Sequence, residues 1–395
     1  MHIPSRSLTI SHTSLKSVIA AFLCAFALTA CGGGQPTPTN TPAPTFTPAP
    51  TPTSTPVPEQ AALNAANITG LTLIETFSDS VIYENVALSA DGKRIAQSRP
   101  NPSNSEVQLM VLSAETGETL FSMTTADGVV QTSPVALSPD GRLLAYSYVV
   151  NPNSITSSKA FRVYDLDSET VVLEGEVQDG GSQVMGLAFS PDGAKLVAGT
   201  GVLSGDGISI WDIATGERVT LAADVAIPSG AQIAFSAQGN QFVTAVGNAS
   251  VQIIDADTGA VVSTLPRVEG RIQSIAYDPT GTHIAAGTRE GQIYVWAIAD
   301  GQQVATMATE AGREVLSMAF TVDGSLLVTG ESSAVLRFWS TETWAQTHTL
   351  QLLNAGSAAS ALIFTPDGKG LLTNVGLTRT GMNPIPATSL YGAFE

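Results

Sequence analysis

Beyond about residue 66 the chain is written in short apolar runs separated by polar, glycine-containing turns, and one phrase returns seven times. It reads Val86-Ala87-Leu88-Ser89-Ala90-Asp91-Gly92 in the first copy and Leu187-Ala188-Phe189-Ser190-Pro191-Asp192-Gly193 in the third. The others end at Gly141, Gly239, Gly281, Gly324 and Gly368, so the glycines lie 49, 52, 46, 42, 43 and 44 residues apart. Each turn has a mechanism: Ser or Thr opens it, Pro presets φ at the first corner, Asp tolerates the second, and Gly takes the left-handed position of a type I turn with a bulge. An apolar strand rich in small residues precedes the turn, and another, such as Leu196-Val197-Ala198-Gly199-Thr200, follows it. A third strand carries larger residues, as in Ile208-Ser209-Ile210-Trp211-Asp212, and a second turn, Ala214-Thr215-Gly216-Glu217, leads to a fourth, Arg218–Leu221.

A period in the forties built from four short strands predicts an all-β fold, a seven-bladed β-propeller with four antiparallel strands per blade over residues 66–395. Alanine and glycine crowd the first two strands, which suits positions near the axis where blades converge. The seventh copy ends early: Ser389–Phe394 reads as its third strand and no fourth follows. Leu71–Phe77, ahead of the first copy, is a spare strand. The N-terminal strand is therefore expected to complete the last blade and close the ring.

These repeats resemble the WD-repeat family, including the Trp211-Asp212 dipeptide. The Gly-His dipeptide of that family is missing throughout, so its Asp-His-Ser-Trp hydrogen-bond tetrad is not expected to form. Bacterial propellers of the Tol-system and YVTN types share the Ser-Pro-Asp-Gly turn, and the resemblance leaves the subfamily open.

The first residues change the picture of where such a propeller would work. Arg6 and Lys16 precede an apolar run, Val18–Leu28, shorter than the roughly 20 residues a membrane span needs. Leu28-Thr29-Ala30-Cys31 then resembles the bacterial lipobox, which implies a signal peptide over 1–30 and lipid attachment at Cys31. Residues 31–65 form the lipidated cysteine and a Pro/Thr-rich segment. Proline at nearly every second position from 35 to 58 predicts an extended, polyproline-like linker. The expected location is the cell envelope, lipid-anchored to a bacterial membrane and facing outside the cytoplasm.

Net charge is −17, and no acidic residue precedes Glu59. That excludes nucleic acid as a partner, because binding it needs a basic face. Cys24 and Cys31 are the two cysteines, so the repeat region has neither a disulfide framework nor a thiolate metal site. His283 and His348 lack neighbours at metal-ligand spacing, and the Asp165-Leu166-Asp167-Ser168-Glu169 stretch lacks the spacing of a calcium loop. No catalytic constellation, cofactor or metal is assigned.

Two function classes are carried forward: a binding or scaffold propeller for a protein, peptide or glycan, and a propeller enzyme (hydrolase, lactonase or oxidoreductase) with its site at the axial mouth. The first is preferred, since the inner strands are rich in Ala, Val, Leu and Ser rather than in acids or histidines. Loops between second and third strands are long in copies seven, one, two and three, which adjoin around the ring. The candidate contacts on that face are Arg99, Asn101, Asn104, Tyr148, Asn151, Asn153, Arg379, Met382 and Asn383, with Tyr148 and Arg99 as anchors. Arg267, Arg271, Arg289 and Arg313 interleave with Glu269, Glu290, Glu310 and Glu314, which predicts local charge pairing.

Overall fold

The computed structural model describes residues 62–67, 71–76, 85–100, 107–124, 134–149, 159–177, 184–200, 208–220, 233–247, 249–352, 357–377 and 388–393. The chain divides into two compact units, Met1–Pro56 and Val57–Glu395, and every described residue belongs to the second. The signal, lipobox and proline-rich readings lie outside the described residues.

Seven four-stranded antiparallel sheets make up the described fold. Blade 1 runs, from the axis outward, Asn85–Leu88, Arg94–Pro100, Val107–Ser113 and Thr119–Thr124. Blade 2 is Val135–Leu137, Leu143–Val149, Lys159–Asp165 and Thr170–Val177, and blade 3 is Val184–Phe189, Lys195–Thr200, Ile208–Asp212 and Arg218–Thr220. Blade 4 is Ala234–Phe235, Gln241–Val246, Ser250–Asp255 and Val261–Thr264, and blade 5 is Ile272–Tyr277, His283–Thr288, Gln292–Ala297 and Gln303–Ala308. Blade 6 is Val315–Phe320, Leu326–Glu331, Val335–Ser340 and Gln346–Gln351. Blade 7 takes Ser357–Phe364, Gly370–Leu377 and Thr388–Ala393 from the end of the chain, and its outer strand is Leu71–Thr76. That outer strand pairs with Thr388–Ala393, Leu71 opposite Ala393 and Thr76 opposite Ser389, as the truncated seventh copy requires.

The turn glycines sit where the repeat places them, in the left-handed region at φ near +70°. They also join blade to blade. A Cβ on Gly193 would lie 3.2 Å from Pro139 of blade 2, one on Gly239 would lie 3.2 Å from Pro191 of blade 3, and one on Gly92 would lie 3.1 Å from Pro366 of blade 7. At these three junctions the turn proline of one blade caps the turn glycine of the next, whereas Gly324 of blade 6 meets Thr280 and Asp278 rather than Pro279, and the Gly92–Pro366 contact links the turns of blades 7 and 1. Blade 4 has Ala237 in place of proline, and Gly281 of blade 5 correspondingly meets nothing within 4 Å.

Ahead of the first strand, Leu63 is buried against Leu326, Leu336 and Leu371, and its N–H donates to the Gly368 carbonyl at the blade 7 turn. Asn67 ties this segment off: its carboxamide donates to Ala62 O and accepts from Asn64 N. The chain therefore reaches the propeller on the face that carries the short turns, and Leu63 is a buried anchor that the strand pattern did not reveal.

The third strands show what remains of the tryptophan network. In blade 6, Trp339 Nε1 donates to Thr329 Oγ1 at 3.1 Å, the threonine lying two positions along from Leu327, which faces the tryptophan. Blade 5 keeps the tryptophan, but Ala286 occupies the threonine position, so the buried Trp296 Nε1 has no partner. Blade 4 keeps the threonine and has Ile254 in place of tryptophan, so the buried Thr244 Oγ1 has no partner either. A hydroxyl buried without a hydrogen bond is unfavourable, whereas one that accepts from a buried indole is not. Thr244→Val should therefore stabilise the domain by up to about 1 kcal/mol, and Thr329→Val should destabilise it by about 1–2 kcal/mol. Urea unfolding of both variants checks this, and equal effects in the two would contradict it.

Candidate functional site

Antiparallel strands divide the propeller into two faces. Turns between first and second strands, and between third and fourth, gather at one end, and the second-to-third loops and blade connections gather at the other. The turn face is built to hold charge in place. Asp165, buried at the end of its strand, accepts from Arg142 through Nε at 3.0 Å and Nη2 at 2.5 Å. It also accepts from the backbone N–H groups of Asp167 and Ser168, so the stretch that loosely suggests a calcium loop is a plain turn wrapped on its own first carboxylate. The Arg142 bonds hold the Asp165 carboxyl far below the usual carboxylate range, overcoming the opposing effect of burial, with the two backbone donors adding to them. Salt bridges Arg94–Asp167 and Lys195–Asp257 stitch adjacent blades on this face.

A carboxylate whose folded pKa is depressed contributes stability above its unfolded value, near 3.9, and loses that contribution as pH falls. Asp165→Asn should be less stable than the native chain at neutral pH, and the gap should close below about pH 4. Thermal melts across that range measure it, and a gap independent of pH would contradict it.

The loop face begins where the strands of blades 7, 1, 2 and 3 end. Second and third strands bracket residues 378–387, 101–106, 150–158 and 201–207 there, against 247–249, 289–291 and 332–334 in blades 4 to 6. Of the candidate contacts, Tyr148 is the one whose side chain is described. It stands half-buried at the loop end of blade 2, with the Arg162 guanidinium 4.1 Å from its ring centre. Glu174 receives Arg162 Nη2 at 3.2 Å from the outer strand. The result is an aromatic–cation–carboxylate stack across three strands. Arg162 belongs to this site and was missed because only the strand register, Tyr148 opposite Ala160, brings it beside Tyr148. Arg99 lies in the second strand of blade 1 opposite Gln108, and its side chain is outside the described residues. Asn101, Asn104, Asn151, Asn153, Arg379, Met382, Asn383 and Cys31 lie outside them entirely.

The interleaved charges of blades 5 and 6 do pair locally. Arg289 Nε bonds Glu314 Oε1 at 3.0 Å, whereas Glu290 is held by the backbone N–H of Arg271, which it accepts at 2.8 Å. A buried member extends the group: Arg337 Nε donates to Glu331 Oε1 at 2.5 Å, with Gln346 and Glu310 on its other nitrogens. Burial raises the Glu331 carboxyl above its usual range in spite of that arginine. His283 contacts Asp278 and Thr282 and meets Trp344 edge-on, while His348 lies beside Phe338. Among the described residues no group of three or more His, Cys, Asp or Glu could hold a metal ion.

With both faces described, the class is that of a seven-bladed propeller, and three of its segments match a known family model: the family described as "WD domain, G-beta repeat" matches residues 169–212, 259–297 and 301–340. Each matched segment begins at or just before the outer strand of one blade and ends on the third strand of the next. The chain is similar to the Protein LST8 homolog of Drosophila melanogaster, 25% identical over 207 residues, covering 50% of this chain and 64% of that protein. It is also similar to the guanine nucleotide-binding protein subunit beta of Oryza sativa subsp. japonica, 29% identical over 180 residues, covering 42% and 47%. A third is the eukaryotic translation initiation factor 3 subunit I of Drosophila mojavensis, 29% identical over 161 residues, covering 38% and 48%. The chain thus spans about half to under two thirds of these relatives' lengths.

Proposed function

We propose that this protein is a membrane-tethered, extracytoplasmic binding propeller that takes a protein, peptide or glycan partner on its loop face. The observation that carries the reading is the division of the two faces. Short turns locked by Asp–Arg and Pro–Gly contacts fill one face, where the chain also reaches the propeller at Leu63. The other face has four adjacent blades whose strands bracket long loops, with Tyr148 at the loop end of blade 2 and its stack on Arg162 and Glu174 running down the sheet from there. Aromatic and arginine side chains held rigidly by a sheet are the groups that dominate interface energetics. Two of the relatives are named as subunits of larger assemblies, which accords with a propeller used as a platform. The tether rests on the lipobox-like Leu28-Thr29-Ala30-Cys31 and the proline-rich segment behind it.

One experiment tests both halves. The full chain and a variant with Asn151–Ser157 trimmed to a short turn are used to recover partners from the host's envelope extract. A turn-face variant, Glu217→Ser at an exposed position of the turn between the third and fourth strands of blade 3, is the control. Trimming should weaken recovery at least tenfold with an unchanged melting temperature, and the control should bind normally, the tenfold loss corresponding to about 1.4 kcal/mol. Loss in the control alone would place binding on the other face. Fatty-acid labelling of the full chain should disappear in Cys31→Ser, and labelling that persists would overturn the tether.

A further inference from the structure

Four of the inner strands carry the same irregularity. In blade 3, Val184 and Gly186 face Thr200 and Gly199, so Met185 is an extra residue with no opposite number. Gln273 in blade 5, Leu316 in blade 6 and Ser360 in blade 7 are extra in the same way. All four stand eight positions ahead of their own turn glycines, Gly193, Gly281, Gly324 and Gly368. A β-bulge bends its strand and re-aims one side chain. Here all four re-aimed residues line one cavity of about 470 Å3, which lies on the axis because all seven blades contribute to its wall.

The bulges are held from outside. Ser274 Oγ of blade 5 donates to the Val315 carbonyl just before the bulge of blade 6, at 2.9 Å, and Ser317 Oγ of blade 6 donates to Ala359 O just before that of blade 7, at 2.7 Å. Glycines on the second strands make room for this contact: a Cβ at Gly330 would fall 2.4 Å from Ser317 Oγ and 2.6 Å from Ala359 O. The bulges of blades 6 and 7 are therefore fixed features of the packed inner strands.

The wall defines the chemistry it would accept. In a chain of net charge −17 none of the described residues that line the cavity is charged. Leu88, Leu137, Leu187, Phe189, Leu316 and Leu362 supply apolar surface, and the polar side chains among the described lining residues are Gln273 and Ser360, both at bulges. A cavity of this size, whose described side chains are mostly apolar and whose wall also exposes backbone polar groups of the inner strands, has the make-up of a small-molecule site. We propose that the axial cavity binds a small neutral ligand, an apolar body bearing one uncharged hydrogen-bonding group that meets the Gln273 carboxamide. This site is separate from the loop-face partner site and stands or falls independently of it.

The test uses the full chain and the neutral fluorescent probe N-phenyl-1-naphthylamine, an aromatic body with one N–H, beside a hydrocarbon analogue lacking the N–H. The native chain should show one saturable site for the naphthylamine and melt at a higher temperature with it bound. Leu316→Trp, which fills the cavity, should weaken the saturable component at least about tenfold. Leu120→Trp, at an exposed position on the outer strand of blade 1, should leave it unchanged. Uptake by other apolar parts of the chain would be common to all variants. Gln273→Leu keeps the cavity open and tests the site even where Leu316→Trp fails to fold. It should weaken the naphthylamine about fivefold and spare the hydrocarbon. No saturable binding to the native chain, saturable binding that survives Leu316→Trp in a folded protein, or equal effects of Gln273→Leu on both probes, would overturn the proposal.

Discussion

Everything in this propeller depends on one pairing, the antiparallel ladder between Leu71–Thr76 and Thr388–Ala393. The three segments that match the family model are offset from the blades as folded, each giving its first strand to the outside of the blade before it and its other three to its own. An open array built this way would end in a three-stranded sheet with an exposed edge. Joining the two chain ends in one sheet removes that edge, and the Pro366–Gly92 contact and the buried Leu63 lie beside the same joint.

Closure in turn crowds the axis. Inner strands of seven blades meet there, with alanines set among larger apolar residues, and serine hydroxyls reach from one blade to the next blade's carbonyls. The bulges resolve that crowding in blades 3, 5, 6 and 7 by turning one residue of each strand toward the axis. The outer parts of the blades have more freedom, and their tryptophan network has drifted into four states: paired with threonine at Trp339, bonded instead to Ser209 of its own strand at Trp211, lacking its acceptor at Trp296, and lacking its donor at Thr244. Electrostatics follows the same division. Carboxylates on the turn face are pinned by local donors, whereas the loop end of blades 5 and 6 balances arginines against glutamates.

What could be read in advance was local or periodic. The seven turns were legible because Ser/Thr, Pro, Asp and Gly each do a separate job within a few residues. The missing fourth strand of the last copy was legible because six complete copies stood beside it. Leu63 escaped notice because a single leucine among alanines has no period, and the Asn64–Asn67 turn that fixes it was the available signal. The bulges escaped because one extra residue inside an apolar run does not alter the apolar pattern. Arg162 escaped because its place over Tyr148 is set by strand register, which spacing along the chain does not encode.

The central claim is that the N-terminal strand closes the ring, and paired truncations measure it most directly. Deleting residues 1–60 leaves Leu63 and Leu71–Thr76 in place, and the melting temperature should match that of the full chain. Deleting residues 1–78 removes the buried leucine and the outer strand of blade 7 together, leaving an unpaired edge. That chain should melt far lower or aggregate on purification. Equal melting temperatures for the two truncations would show that the ring does not need its N-terminal strand and would contradict this account.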